Sequence, residues 1–229
     1  MKILITSDLH GLESAYDRFA VLLEEGNFDL GLVAGDLMAY PTPAELQTAR
    51  GMLRRKGDAA NTYAAPSLPE VLEHALQVKQ RHLKNILLRA NKPVVFIMGN
   101  GDGIIGNGVP WTDDRHVVSA NGRRLVFGEY SVVGYQYTGP FVGGTFEKSN
   151  AQQQVDFRVM ENLIDTNTIF LTHGPAWGKL DRLPDKTHVG SKPMREMLER
   201  RPITHFPRVE NAVLLIFGVR KCLLRRELH

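Results

Sequence analysis

Four short motifs carry side chains that bind divalent metal ions, and each follows an apolar run. The residues are Asp8 and His10 after ILIT, Asp36 after LGLVAG, Asn100 and Asp102 after PVVFIMG, and His173 after TIFLT. Alternate residues of a strand point to the same face, so Asp8 and His10 can hold one ion. A mixture of carboxylate, imidazole and amide oxygen suits Mn, Fe or Zn better than a structural zinc site, which favours thiolates. The sequence predicts a metal centre.

The apolar runs before these motifs are typical of buried strands, and helical patterns separate them. From Glu13 to Glu25 apolar residues recur at helical spacing, and Gly26 is a natural stop. A longer amphipathic pattern, from Leu72 to Ala90, precedes the third run. This alternation predicts an α/β fold, in which sites form at the carboxyl ends of the strands.

The remaining segments predict the rest of one domain spanning residues 1–229. The stretch RRLVFGEYSVVGYQYTGPFVGG indicates antiparallel strands and a glycine-rich loop. Helices are expected over Gln152–Ile164 and Lys192–Arg200, and VLLIFG, residues 213–218, is expected to be the last strand. Residues 40–68 read as a local insertion, with a possible helix over Ala44–Lys56.

Bulk properties narrow the class of protein. A chain of 229 residues that is 43% hydrophobic can bury one core. The net charge of +3 is too small to favour nucleic-acid binding. A single cysteine, Cys222, excludes an intrachain disulfide and fits a reducing compartment. No signal-peptide core or apolar run of about 20 residues is evident. We therefore expect a cytoplasmic protein that does not contact membranes.

The motifs SDLHG, AGD, MGNGD and LTHGP occur in an order that resembles the calcineurin-like metallophosphoesterases, over Met1 to about Leu198. The stretch LTHGPAWGKLDRLPDKTHVGS is most similar to the small branch of that family that contains cyclic-nucleotide and other phosphodiesterases. The resemblance implies a four-layer α/β/β/α sandwich of two mixed sheets flanked by helices, with a two-metal site.

The resemblance also implies roles for individual residues. Asp8 and His10 would hold the first metal, Asp36 would bridge both, and Asn100 and His173 would hold the second. The implied reaction is hydrolysis of a phosphodiester or phosphomonoester, such as a small phosphate ester or a nucleotide, through metal-activated water. One or two divalent ions, Mn, Fe or Zn, would be the cofactors.

The third motif departs from the family pattern, which is commonly Gly-Asn-His-Asp/Glu. Here Gly101 takes the place of the histidine. Since that histidine helps to protonate the leaving group or to hold the phosphate, its loss favours esters with good leaving groups. Asn100 and Asp102 remain the candidate catalytic residues. Asp102 either orients the site through hydrogen bonds or simply caps the turn.

The last motif departs further. The family strand ends Phe-Gly-His-x-His, whereas IFG is followed here by Val219, Arg220 and Lys221, which are not metal ligands. The family also runs on through further strands, so we interpret the C-terminus as shortened. His205 or His188 could compensate, or could be surface residues. The alternative function is a catalytically impaired relative that binds phosphate, a nucleotide or a partner protein.

Overall fold

The computed structural model describes residues 1–38, 47, 70–103, 111, 113–141 and 143–201. Four helices and seven strands lie in these ranges. The helices are α1 Glu13–Glu25, α2 Glu70–Arg89, α3 Asn150–Met160 and α4 Lys192–Arg200. The strands are β1 Ile3–Thr6, β2 Leu30–Ala34, β3 Val94–Ile97, β4 Val117–Ser119, β5 Arg124–Phe127, β6 Tyr130–Tyr135 and β7 Thr168–Thr172. Short 3₁₀ turns cover Asn100–Gly103 and Glu161–Leu163.

The first sheet contains β1, β2, β3 and β4 in that order, and all its described pairings are parallel. Ile3 lies opposite Leu30, and Gly31 lies opposite Val94, so the three strands end at nearly the same level. Parallel neighbours cannot be joined by a tight turn, so they need crossover connections. Helix α1 lies in the connection from β1 to β2, and helix α2 lies in that from β2 to β3. The motifs that follow β1, β2 and β3 therefore meet at one edge.

The second sheet has the order β5, β6, β7 and is mixed. Strands β5 and β6 are antiparallel, with Phe127 opposite Tyr130 across a two-residue turn. Strands β6 and β7 are parallel, with Tyr135 opposite Thr172. This places the residue after β7, His173, at the carboxyl edge of the second sheet.

Three apolar layers alternate with the secondary structure. The first packs α1 and α2 on one face of the first sheet, the second lies between the two sheets, and the third packs α3 and α4 on the second sheet. Neighbouring residues of a strand serve different layers, as Leu32 and Val33 of β2 do. Each fully buried aliphatic side chain of this kind contributes about 1.5–3 kcal/mol to the stability of the folded state, relative to an exposed one. The result is an α/β/β/α sandwich.

The two sheets also touch through their backbones at Gly134 of β6. Its N–H donates to the carbonyl of Ala120 over 3.0 Å, and its carbonyl accepts from Gly122 over 2.9 Å. A Cβ at position 134 would lie 2.6 Å from Cγ2 of Ile97, so the approach requires glycine. Ala120 directly follows β4, and this contact therefore joins the end of the first sheet to the second.

The predicted fold class is confirmed, and only the description of the first sheet changes, from mixed to parallel over its described strands. The predicted helix over Gln152–Ile164 is shorter, because its C-terminal part forms the 3₁₀ turn at Glu161–Leu163. The insertion over residues 40–68, apart from residue 47, lies outside the described residues, and so do the last strand, the motif at 219–221 and His205. The single-domain organisation stays a prediction. Among the described residues, no helix is long and apolar enough to cross a bilayer.

Candidate metal centre

The loops that follow β1 and β2 run side by side and continue the pairing of the strands. The N–H of Asp8 donates to Gly35 over 3.0 Å, that of His10 to Asp36 over 2.8 Å, and that of Gly11 to Leu37 over 2.8 Å. Both loops are therefore held by backbone hydrogen bonds before any side chain is considered.

Three residues of these loops have left-handed backbone conformations. The φ angles are 55° for Asp8, 44° for His10 and 54° for Asp36. Aspartate and histidine are enriched among the few non-glycine residues that adopt such angles. Unusual backbone conformations persist where the surroundings hold them in place, and they cluster at functional sites. Here they turn three candidate ligand side chains towards one point.

The first group of potential ligands consists of Asp8, His10 and Asp36, with one ligand atom from each lying within 4.8 Å of the others. Nε2 of His10 is 3.8 Å from Oδ1 of Asp8 and 3.6 Å from Oδ2 of Asp36. The hydroxyl of Ser7 donates to the other oxygen of Asp8, Oδ2, over 2.6 Å. Ser7 thus fixes the carboxylate with Oδ1 towards the group.

The second group contains Asn100 and His173. Nδ1 of His173 lies 2.8 Å from the carbonyl oxygen of Ala34. Because a carbonyl only accepts, Nδ1 carries a proton, and Nε2 is the atom available for coordination. Nε2 lies 3.1 Å from Oδ1 of Asn100 and 3.4 Å from Oδ1 of Asp36. A neutral imidazole would then face two oxygen acceptors, an arrangement that a cation between the three atoms would satisfy.

Asp36 belongs to both groups. Its Oδ2 faces His10 and its Oδ1 faces His173. The residue is 6% exposed and His173 is 8% exposed, whereas 41% of the His10 side chain is accessible. The donors are oxygen and imidazole nitrogen only, which fits Mn, Fe or Zn. The five predicted ligands are thus brought together in an arrangement that fits two ions sharing one carboxylate. Their roles as ligands stay a prediction.

Asp102 is buried behind this group rather than exposed at its surface. Its Oδ2 accepts from the backbone N–H of Gly99 over 2.8 Å and of Leu37 over 3.2 Å, and its Oδ1 accepts from Met38 over 2.7 Å. Burial raises the pKa of Asp102 to about 6, against the lowering effect of these hydrogen bonds. The carboxylate ties the loop after β3 to the loop after β2, and its bond from Gly99 also closes its own turn. Its role in orienting the site stays a prediction.

Gly101 packs directly on Asp36. Its N–H donates to Oδ1 of Asp36 over 2.8 Å, and a Cβ at position 101 would lie 2.8 Å from the same oxygen and 3.1 Å from Oδ2. A side chain at the position that carries histidine in the family pattern would therefore displace the Asp36 carboxylate on this backbone. The departure in the third motif is consistent with the local packing.

His188 takes part in a different cluster. Its Nδ1 lies 2.8 Å from Oδ1 of Asp181, whose side chain is buried, and its ring lies 4.9 Å from the Trp177 ring. Nζ of Lys192 lies 4.6 Å from the centre of the same Trp177 ring. These contacts hold the loop between His173 and α4 together. His188 is not part of the metal-ligand group found among the described residues.

Sequence reasoning did not identify Tyr16. This residue lies on α1 and is fully buried, and its hydroxyl donates to the carbonyl of Leu37 over 2.9 Å. The only signal in the sequence is a polar group on the apolar face of a helix, since Tyr16 shares the spacing of Phe19 and Leu23. Such a hydroxyl requires an acceptor inside the protein, but the sequence does not say which.

Comparisons with known proteins agree with this architecture. The family model described as calcineurin-like phosphoesterase matches residues 1–218. A solved structure, that of the protein TT1561 of Thermus thermophilus, is 15% identical, with a TM-score of 0.53 over 87% of this chain and 77% of that one. A second solved structure is 12% identical, with a TM-score of 0.58 over 87% of this chain and 79% of that one. At these identities the two structures support the fold alone. No curated protein matches the chain. The family match, which extends through all four motifs, shows that this chain belongs to the calcineurin-like phosphoesterase family.

Proposed function

We propose that this protein hydrolyses a phosphodiester or phosphomonoester through metal-activated water, with Asp8, His10, Asp36, Asn100 and His173 as the metal ligands. The observation that carries the proposal is the position of Asp36, whose two carboxylate oxygens face two different imidazoles. One carboxylate between two sets of donors is the arrangement that a two-metal site requires. Two divalent cations bound there would orient a phosphate and lower the pKa of a water.

The residues of the chain contribute orientation and charge. Asp36 is buried and supplies negative charge to both donor groups. Nδ1–H of His173 is held by Ala34, which keeps Nε2 directed at the site. The most exposed donor is His10, so the open side of the group lies near this residue. We infer that the phosphate of the substrate approaches from that side.

The leaving group determines which esters react. Position 101 has no side chain that could protonate a leaving oxygen, and Asp102 is engaged by three backbone amides. The preferred substrates are therefore esters whose leaving group departs without strong acid assistance, such as aryl esters with a low leaving-group pKa. We propose manganese as the first metal to test and the cytoplasm as the place of action.

A second candidate function is phosphate or nucleotide binding without turnover. Gly101 favours this second function, because it supplies no side chain at the position of the family histidine and a side chain there would meet the Asp36 carboxylate. The residues at 219–221 point the same way, because they supply none of the imidazoles of the family pattern. The two candidates share metal binding and differ only in catalysis.

The deciding experiment measures metal and turnover on the same preparation. The full chain, purified without chelator, is analysed for metal per chain and assayed with bis(p-nitrophenyl) phosphate and p-nitrophenyl phosphate in the presence of Mn²⁺, Zn²⁺ or Fe²⁺. His10→Ala should lower both metal content and turnover, while Glu129→Gln, on an exposed turn, should change neither. Metal binding without turnover of either ester would establish the non-catalytic candidate. Absence of metal binding would overturn both.

A further inference from the structure

Two successive peptide groups after Asp36 are held at both of their ends. In the first, the carbonyl of Asp36 accepts from His10 over 2.8 Å, and the N–H of Leu37 donates to Asp102 over 3.2 Å. In the second, the N–H of Met38 donates to Asp102 over 2.7 Å. The carbonyl of that second group, on Leu37, is the acceptor for α1.

That carbonyl receives two hydrogen bonds, one from the N–H of Gly11 over 2.8 Å and one from the hydroxyl of Tyr16 over 2.9 Å. The first comes from the loop after β1, and the second comes from the core side, where α1 packs on the first sheet. With all four ends engaged, the backbone torsions on the C-terminal side of Asp36 cannot change without breaking a hydrogen bond. A left-handed residue with φ of 54° needs such support.

The Tyr16 side chain is itself fixed. It is fully buried, and its ring is stacked on that of Trp111 with 6.0 Å between centroids and 25° between planes. Burial, with the negative charge of Asp102 as a smaller cause, raises the pKa of Tyr16 well above its ordinary value. The hydroxyl therefore remains a donor at every working pH.

We propose that Tyr16 is a positioning residue for the metal centre, acting through the Leu37 carbonyl to hold the Asp36 carboxylate between its two donor groups. This inference rests on the proposed metal binding by Asp36 but not on catalysis. It connects α1, which carries no ligand, to the residue on which both donor groups depend. Loss of the hydroxyl removes one of the two hydrogen bonds to the Leu37 carbonyl, leaving only that from Gly11, and so loosens the backbone after Asp36 in the metal-free state.

The test compares two tyrosine-to-phenylalanine variants that each lose one hydrogen bond of the hydroxyl. Tyr16→Phe removes the buried bond to Leu37. Tyr135→Phe is the control, because the residue is equally buried and its hydroxyl donates to Asp156 of α3 over 2.9 Å, in a partly buried hydrogen bond. Both variants should lose a similar amount of stability in urea unfolding. A purely structural role would therefore affect the two alike.

Two readouts separate positioning from stability. In the metal-free full-length protein, amide exchange at Met38 should be faster in Tyr16→Phe than in wild type and unchanged in Tyr135→Phe. In Mn²⁺ titrations followed by electron paramagnetic resonance, Tyr16→Phe should bind up to about fivefold more weakly, the equivalent of one net hydrogen bond, and Tyr135→Phe should bind as wild type does.

The outcomes distinguish the inference from the proposed function. If wild type binds Mn²⁺ and the two variants match it or weaken equally, the positioning role is overturned while the metal site stands. If wild type binds no divalent ion, metal binding by Asp36 fails and the inference fails with it. Weaker Mn²⁺ binding and faster Met38 exchange in Tyr16→Phe alone would support the role, whether or not the enzyme turns over an ester.

Discussion

The backbone N–H of Gly101 donates to Oδ1 of Asp36 over 2.8 Å, and no side chain at position 101 could fit in the same backbone without displacing that carboxylate. The residue that departs from the family pattern is therefore in direct contact with the carboxylate that faces both donor groups.

This contact predicts the effect of Gly101→Ala. The added Cβ would meet the Asp36 carboxylate and displace it, and we expect Mn²⁺ affinity to fall by about tenfold, at the low end of the cost of disturbing a ligand's support. Gly139→Ala is the control, because a Cβ there has no neighbour within 4 Å. Neither glycine has a left-handed φ, so backbone strain does not enter. Titration of both variants with Mn²⁺ checks the prediction, and equal affinities would contradict it.

The position of the Asp36 carboxylate between the two donor groups predicts which of two variants loses more metal. Asp36→Asn removes negative charge from both donor groups, whereas His173→Ala removes one neutral donor from one group. We expect Asp36→Asn to lower the metal retained after dialysis against a weak chelator more than His173→Ala does. Metal per chain is the measurement. Equal retention in the two variants would show that Asp36 does not bridge.

Asp102→Asn should destabilise the protein although it preserves the shape of the side chain. Three backbone N–H groups donate to this carboxylate, and an amide places a donor against at least one of them. An unpaired buried N–H costs about 1–3 kcal/mol. We expect the free energy of unfolding, measured with urea at pH 8, to fall by this amount. Asp29→Asn is the control, since Asp29 accepts one backbone N–H at an exposed position. Similar losses in both variants would remove the special role of Asp102.

The pair formed by Asp181 and His188 predicts a contribution to acid sensitivity. Burial acts to raise the pKa of Asp181, but hydrogen bonds from His188 and from the N–H groups of Gly178 and Gly190 outweigh it and hold the pKa below its ordinary value. The folded protein therefore binds fewer protons here than the unfolded chain. The stability from this group is present above the unfolded pKa of about 3.9 and is lost as the pH falls through the lower folded pKa.

Asp181→Asn should accordingly remove part of the steep decline in unfolding temperature below about pH 4, while lowering stability at neutral pH. Melting temperatures between pH 7 and pH 3 provide the measurement, with Glu129→Gln, an exposed carboxylate, as the comparison. Curves for Asp181→Asn and wild type that remain parallel down to pH 3 would exclude the contribution.

The sequence predicted that the candidate ligands would come together, because each follows an apolar strand. Strand period and strand ends are local properties, and once neighbouring strands pair in register, as Ala34 does with Ile97, the polar residues that follow them must meet. Helix α3 was also predicted, although it begins two residues earlier than its apolar pattern indicates. Ser149 and Gln152 form a capping box at that start, which is a pattern visible in the sequence.

The contacts that hold the ligands were not predictable in the same way. The hydrogen bond from Tyr16 to Leu37 joins residues 21 positions apart, and that from Leu37 to Asp102 joins residues 65 apart. Each depends on the packing of a helix or loop against the completed sheet. Similarly, the sequence showed glycine at position 101 but not the carboxylate that occupies the space beside it.

The contact at Gly134 has a consequence for ion selectivity. Asp36 follows a strand of the first sheet and His173 follows a strand of the second, and the backbone hydrogen bonds between Gly134, Ala120 and Gly122 join the two sheets. The core contact at Gly134 therefore limits how far the loops that carry Asp36 and His173 can separate. A dense core resists deformation, so under the proposed metal binding we expect ions of different radius to fit a donor spacing that the two sheets resist changing.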